Sequence, residues 1–218
     1  MTDITPQFLA QKTWDLYQTH GVPIEVSEDI IEKHGLALDN AELNKLIQDH
    51  QKLSQNTSGA QFKSGLGEDT EKTRKLHTTT HILHKVLRDL YGNSVHQMGS
   101  AITAEKARFD FSLDKKLDQS DLEKITQNVQ NIINLNLDMV KNETTEKEAR
   151  KMGAIGLFGE KYGENVSVYK LVDKDGKVYS FEFCGGPHIK QSKEIGIFKI
   201  IKQKLVGQGL RRLEFDVF

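Results

Sequence analysis

Residues 77–92 read HTTTHILHKVLRDLYG, and this stretch predicts a helix that ends at Gly92. Its apolar residues recur at the three- and four-residue spacing of one helical face: Ile82, Leu83, Val86, Leu87 and Leu90. His77 and His81 are four residues apart, so both imidazoles project from the same side of the helix. A helix with two histidines on one face is therefore the first element predicted.

The segments around this helix predict an α+β fold. Further helices are expected at about 118–137 and, as a short one, at 144–153. Strand-like runs at 166–171 and 177–183 flank a turn with the Asp175–Gly176 pair that is typical of hairpins. Two more strand-like runs follow at 196–203 and 210–217. Because helices and strands are segregated along the chain, residues 74–218 are assigned to the α+β class.

The first quarter of the chain predicts a separate, small helical module at 1–53, made of three segments. Ser27 is expected to cap the second segment, and Asp39 with Glu42 forms the pattern of a capping box before the third. Residues 54–73 are rich in Ser, Thr, Asn and Gly and nearly devoid of apolar residues, which predicts a linker.

Composition places the chain in the ordinary soluble globular class. Of its 218 residues, 37% are hydrophobic and 28% charged, and the formal net charge is −1. A single cysteine, Cys184, excludes an internal disulfide framework and predicts a reducing compartment. No apolar run approaches the ~20 residues of a membrane span, and the N-terminus lacks a signal-peptide pattern. We expect a cytoplasmic protein without membrane contact.

The charge is distributed unevenly. Residues 1–50 contain nine acidic residues against three basic ones, whereas residues 189–212 contain seven basic residues against one acidic. A basic stretch in a neutral protein fits a phosphate-rich ligand, and it fits a solvated strand face equally well.

A second pair of metal-ligating residues lies far from the first. Cys184 and His188 occur in FCGGPH, where the strand 177–183 ends in a glycine turn. Together with His77 and His81 they form a complete tetrahedral ligand set for Zn²⁺, which suits one thiolate and three imidazoles. His84 lies on the same helix face, so spacing alone leaves open which two helix histidines bind the metal.

Six separated motifs resemble the editing domain of alanyl-tRNA synthetase and of the free-standing alanyl-tRNA editing proteins. The resemblance covers about residues 74–218, and residues 13–36 are similar to the end of the tRNA-recognition helices of the synthetase. The motifs are HTTTHILHKVLRDLYG, HQMGSAITAEKARFDFS, GAIGLFGEKYG, CGGPHI, EIGIFKII and GQGLRRLE.

This resemblance implies a zinc-dependent aminoacyl-tRNA hydrolase that removes serine or glycine from mischarged tRNA(Ala). It implies the metal ligands His77, His81, Cys184 and His188, and leaves His84 outside the set. It further implies that the Thr80 hydroxyl discriminates serine from alanine and that Gln97 is a polar residue of the editing pocket. Basic residues near the C-terminus are expected to contact tRNA phosphates: Lys199, Lys202, Arg211 and Arg212.

The family pattern Cys-Gly-Gly-Thr-His has Pro187 in place of threonine, which removes a hydroxyl and a backbone N–H. We expect the metal geometry to survive this change and amino-acid discrimination to be affected by it. ATP-dependent charging is not expected of this chain alone, because no class II aminoacylation core precedes residue 1.

Four functions remain open on the sequence. The first is a free-standing hydrolase acting in trans on mischarged tRNA(Ala). The second is a piece of a split or truncated alanyl-tRNA synthetase that needs a partner catalytic subunit, which the acidic helical module favours. The third is a tRNA-binding module with a purely structural zinc. The fourth is the related editing domain of threonyl-tRNA synthetase, which FGEKYG and GLRRLE fit less well.

Overall fold

The computed structural model describes residues 4–20, 24–47, 68–157, 162–207 and 209–218. The chain divides into two compact units, Met1–Ala60 and Gln61–Phe218. Most of the linker predicted at 54–73 lies outside the described residues, and Glu71–Thr73 already belong to a helix. In the described part of the chain, no helix combines the length and apolar character that a membrane crossing requires.

The first unit is helical. It contains α1 (Pro6–His20), α2 (Ile24–Lys33) and α3 (40–47), and the part of the third predicted segment beyond residue 47 lies outside the described residues. Ala10, Trp14 and Leu43 form its small core. Asp39 accepts a hydrogen bond from the Glu42 amide at 3.0 Å, as predicted for the cap of α3.

The predicted cap at Ser27 is wrong. Helix α2 begins at Ile24, so Ser27 lies inside it and its buried hydroxyl has no hydrogen-bond partner. The capping signal of serine was overridden because Ser27 lies on the helix face that is buried in this unit.

The second unit contains the predicted helices α4 (Glu71–Tyr91), α5 (Gln119–Asn134) and α6 (Glu146–Lys151). Thr70 caps α4 in a reciprocal pair with Thr73, and Asp118 caps α5 in the same way with Asp121. The apolar faces of α4 and α5 enter one core, which includes Leu76, Ile82, Leu87, Ile125, Val129 and Ile133. The helical periodicity of the sequence is thereby confirmed.

Four strands form an antiparallel sheet against these helices. They are β1 (Gln97–Ile102), β2 (Ala107–Ser112), β6 (Phe198–Gly207) and β7 (Leu210–Val217), in the order β1-β2-β7-β6. Strands β6 and β7 were predicted as separate strand-like runs, and the structure pairs them, whereas β1 and β2 were missed. Strand β2 does carry a period-two signal, since Ala107, Phe109 and Phe111 all face the core.

The second antiparallel sheet has the order β3-β4-β5, with β3 (Asp138–Thr145), β4 (Asn165–Val172) and β5 (Val178–Phe183). The hairpin β4–β5 was predicted and has Gly176 at φ 83° in its turn, a conformation that favours glycine. Strand β3 was missed because it is an edge strand with mostly polar, exposed residues, and such strands carry no apolar pattern. Two sheets and packed helices confirm the α+β class.

We predict that Asp121→Asn lowers the free energy of unfolding at pH 7 by about 1–2 kcal/mol. Asp121 is buried and accepts from Lys115 at 2.6 Å, from the Asp118 amide and from the Tyr91 hydroxyl, which lowers its pKa to about 2. A lowered pKa contributes stability above pH 4 that disappears as the pH falls toward 2. Urea unfolding of both proteins at pH 7 and at pH 3 measures the difference.

The matched control is Asp118→Asn, which keeps an acceptor oxygen at the cap and is expected to change stability little. A gap between the wild type and Asp121→Asn that is equally large at both pH values would contradict the prediction.

Candidate metal centre

Two of the four predicted ligands lie on the first half of α4. His77 and His81 are one turn apart, and both are buried at 4% and 5% exposure. Their ring centroids are 5.4 Å apart. The cap at Thr70 lies about two turns before His77, so both histidines are within the regular part of α4.

The other two predicted ligands follow strand β5. Cys184 is the first residue after the strand, and its Sγ lies 3.3 Å from Nε2 of His77 and 3.3 Å from Nε2 of His188. One ligand atom from each of His77, His81, Cys184 and His188 lies within 4.8 Å of all the others. The structure thus brings together, from positions more than a hundred residues apart, the ligand set expected from the sequence.

Each histidine of this group, here called the His–Cys cluster (His77, His81, Cys184 and His188), is held through its Nδ1 atom. Nδ1 of His77 donates to the carbonyl oxygen of Pro187 at 3.0 Å. Nδ1 of His81 lies 2.8 Å from Oε2 of Glu182. Nδ1 of His188 lies 3.0 Å from the Thr78 hydroxyl, which itself donates to the Arg74 carbonyl. Since all three partners act as acceptors, Nδ1 carries the proton and Nε2 remains for a ligand.

Electrostatics favour the ligating form of the thiol. Burial alone would raise the pKa of Cys184, but the interaction with His77 and the contacts of Sγ with Nε2 of His188 and His77 hold that pKa well below its ordinary value. A thiolate is the form of cysteine that binds metal. Burial also lowers the pKa of His188 to about 3, which keeps that ring neutral.

His81 is in a different electrostatic environment. Burial opposes a charge on its ring, but the Glu182 carboxylate and the Cys184 thiolate raise its pKa to about 10, so a bound metal ion would take the place of the Nε2 proton. Nε2 of His81 is buried and has no hydrogen-bond partner among the residues that the structure describes. An atom that is buried without a partner, within reach of a thiolate and two further imidazoles, is what a site for a divalent cation provides. The residues present therefore fit a metal such as zinc.

His84, which spacing alone left as a possible ligand, is not part of the His–Cys cluster. Its Nδ1 lies 3.1 Å from Oε1 of Glu182, and its ring packs 5.9 Å from that of Phe109. Pro187 contributes to the cluster through its carbonyl oxygen, a group that proline shares with threonine. The departure from the family pattern at this position consequently leaves the observed contact with His77 in place.

A cavity of about 390 Å³ opens beside the His–Cys cluster. His77, His81 and Cys184 form part of its wall, and Thr80 and Gln97 line the same space. The Thr80 hydroxyl donates to the His77 carbonyl at 2.7 Å, and the Gln97 side chain donates to the Ser100 hydroxyl at 3.2 Å. Both predicted pocket residues therefore line the cavity that lies beside the predicted ligands.

The four basic residues predicted to contact tRNA lie on β6 and β7, and none of them lines this cavity. Lys199 and Lys202 are exposed. Arg212 donates to both oxygens of Asp110 at 2.7 and 2.9 Å, and Arg211 donates to the Leu113 and Asp114 carbonyls. The arginines thus have partners within the fold, while the lysines face outward on the edge of the sheet.

Sequence reasoning missed Glu182. It is an acidic residue between Phe181 and Phe183 in a strand, two positions before Cys184, and it is 6% exposed. The signal was present in the sequence, because a charged residue within an apolar strand is rarely buried without a partner.

Comparison with known proteins gives the class of the chain. The family described as "tRNA synthetases class II (A)" matches residues 3–133, and "Threonyl and Alanyl tRNA synthetase second additional domain" matches residues 166–214. The first match covers more than half of the chain. The class is thus that of the class II tRNA synthetases.

Individual relatives narrow the class. The chain is 42% identical over 199 residues to the alanine--tRNA ligase of Borreliella afzelii and 39% identical over 198 residues to that of Treponema denticola. These alignments cover 91% of this chain and 33% and 32% of those proteins. The alanine--tRNA ligase of Alkaliphilus metalliredigens is 48% identical over 149 residues, 67% of this chain and 16% of that protein. The chain belongs to the alanyl-tRNA synthetase family and spans about a third of the length of the first of these relatives.

Proposed function

We propose that the chain is a zinc-dependent aminoacyl-tRNA deacylase that hydrolyses mischarged Ser-tRNA(Ala) and Gly-tRNA(Ala). The observation that supports this most directly is the shared wall of one cavity, in which His77, His81 and Cys184 of the His–Cys cluster lie together with Thr80. The cavity is large enough for a small aminoacyl ester, and Gln97, Ser100 and Asn165 add further polar side chains to its wall.

His77, His81, Cys184 and His188 would hold the zinc ion. When bound, zinc would supply a fixed positive charge beside the cavity. Four protein ligands make a closed site, so the role of the ion is to orient and to stabilise. No histidine of the cluster is assigned as a general base, because each Nδ1 is engaged with a protein acceptor and each Nε2 would be taken by the metal.

Thr80 supplies selectivity for serine over alanine. Its hydroxyl proton is donated to the His77 carbonyl, so its oxygen offers lone pairs to the cavity. The hydroxyl of a seryl group donates to such an acceptor, whereas the methyl group of alanine leaves it unpaired. A site that hydrogen-bonds a substrate hydroxyl can reject the analogue that lacks it by ~10⁴-fold.

Deacylation of Ser-, Gly- and Ala-tRNA(Ala) by the purified chain, with zinc content measured in the same sample, tests this function. Rapid loss of serine with alanine retained is the expected result. Stoichiometric zinc without hydrolysis of any of the three would instead indicate a tRNA-binding module with a structural metal.

We predict that Thr80→Val lowers the rate of Ser-tRNA(Ala) deacylation about tenfold, the effect of one lost hydrogen bond. Valine keeps the branched shape of threonine and removes the acceptor, while zinc content is expected to stay unchanged. The matched control is Thr80→Ser, which keeps the hydroxyl and is expected to keep the rate. Equal rates for the Val and Ser variants would contradict the role of the hydroxyl.

A second function is supported by the helical unit. Several of its large apolar side chains are exposed: Ile4, Phe8, Leu16, Tyr17, Val26 and Ile30. The chain also spans only about a third of the length of the first of its relatives. Exposed apolar residues at this density are typical of a surface that binds a partner. We propose as the alternative that the chain works with a synthetase catalytic subunit on tRNA(Ala). Deacylation by the isolated monomer at full rate would argue against this alternative, and aminoacylation restored by an added catalytic subunit would support it.

A further inference from the structure

Glu182 is a buried carboxylate whose two oxygens are both used. Oε2 lies 2.8 Å from Nδ1 of His81, and Oε1 lies 3.1 Å from Nδ1 of His84. The Ser180 hydroxyl donates to Oε1 at 3.0 Å. Three donors from α4 and β5 thus converge on one carboxylate that the sequence places between two phenylalanines.

This arrangement constrains the two imidazoles differently. A carboxylate without a proton only accepts, so each imidazole must present an N–H at Nδ1. For His81 this leaves Nε2 on the side of the His–Cys cluster. Nδ1 of His84 bonds the other carboxylate oxygen in the same way, and His84 lies outside the His–Cys cluster. The carboxylate cannot rotate toward either ring without losing the other.

We propose that Glu182 is a positioning residue that fixes the tautomer and the orientation of His81, with His84 and Ser180 anchoring its second oxygen. The inference rests on the metal-binding part of the proposed function. Carboxylate partners of ligating histidines orient the ring and raise its basicity, and their loss weakens metal binding about 10- to 100-fold.

Two substitutions separate positioning from packing. Glu182→Leu removes every acceptor and fills the same space with an apolar side chain. Glu182→Gln keeps one acceptor oxygen, enough for His81, because the neutral tautomer of His84 can reverse to accept from the amide. If Glu182 positions His81, the Gln variant binds metal more tightly than the Leu variant. If Glu182 only fills space, the Leu variant binds metal at least as tightly as the Gln variant.

The experiment is a competition titration of Zn²⁺ between the full chain and a chromophoric chelator, for the wild type and each variant. We expect Glu182→Leu to weaken zinc affinity by about 100-fold and Glu182→Gln by about tenfold or less. The control Glu143→Leu removes an exposed carboxylate of the same sheet, and it is expected to stay within about threefold of the wild type because Glu143 contacts no residue of the His–Cys cluster. Circular dichroism of each zinc-free protein checks that the variant is folded.

A nitrogen-15 NMR measurement gives a readout that a role in packing does not change. In the zinc-loaded wild type, the Nδ1–H of His81 is expected as a slowly exchanging signal, which persists in Glu182→Gln and is lost in Glu182→Leu. Equal zinc affinity in wild type and Glu182→Leu, or an unchanged His81 signal, would overturn the inference. Absence of zinc binding by the wild type would instead overturn the proposed function.

Discussion

Cys184→Ala is expected to weaken zinc binding by more than about 100-fold. Loss of a metal ligand weakens binding more than loss of a residue that only hydrogen-bonds a ligand, which costs up to about 100-fold. Sγ of Cys184 contacts Nε2 of both His77 and His188, and it is the one thiolate in the chain. Zinc at 100 times its dissociation constant stabilises a protein by about 2.7 kcal/mol. For a unit of this size the loss corresponds to a fall of about 5–10 °C in the melting temperature. Zinc analysis and thermal unfolding, with and without chelator, measure both effects.

The control for this prediction is Pro187→Thr. The carbonyl at position 187 accepts from His77 whichever side chain is present, so zinc content and melting temperature are expected to stay the same. In excess chelator, the wild type and Cys184→Ala should melt at nearly the same temperature. A Cys184→Ala protein with full zinc and an unchanged melting temperature would show that the ligand set is wrong.

Arg212→Met is expected to lower the free energy of unfolding by about 2 kcal/mol, less than breaking a fully buried pair would cost, because the Arg212 side chain is 22% exposed. Arg212 lies directly opposite Asp110 on neighbouring strands and donates to both carboxylate oxygens, and the Asp110 side chain is 10% exposed. Without the guanidinium, Asp110 keeps only Arg108 at 3.5 Å, which limits the loss. Urea unfolding at neutral pH measures it.

The double variant Asp110→Asn with Arg212→Met removes both charges. It is expected to be more stable than the sum of the two single changes implies, since the charges interact directly.

The double variant Lys199→Ala with Lys202→Ala is expected to weaken tRNA binding without a large loss of stability. Both lysines are exposed, so we expect unfolding to change by less than about 0.5 kcal/mol while tRNA binding weakens, most strongly at low salt. Identical losses of stability in the arginine and lysine variants would contradict the prediction that Arg212 stabilises the fold and the two lysines do not.

Local patterns in the sequence identified the elements whose residues alternate between core and solvent. The periodicity of α4 and α5 and the turn at Asp173–Gly176 each carry their own signal within a short window. Strand β3 carries none, since its stability comes from pairing with β4 rather than from burial of its side chains. Ser27 shows the reverse case, in which a strong local capping signal yields to the burial of the helix.

The sequence by itself determined the residue types of the site: two histidines on one helix face, and a cysteine and a histidine after a strand. Spacing alone could not separate His81 from His84, because both lie on the same side of α4. Only the tertiary structure decided between them, since strand β5 places Cys184 near one ring and Glu182 between the two. The physical reason is the separation of the residues along the sequence. Helical spacing depends on neighbouring residues, whereas the distances within a candidate metal centre depend on how distant helices and strands pack together.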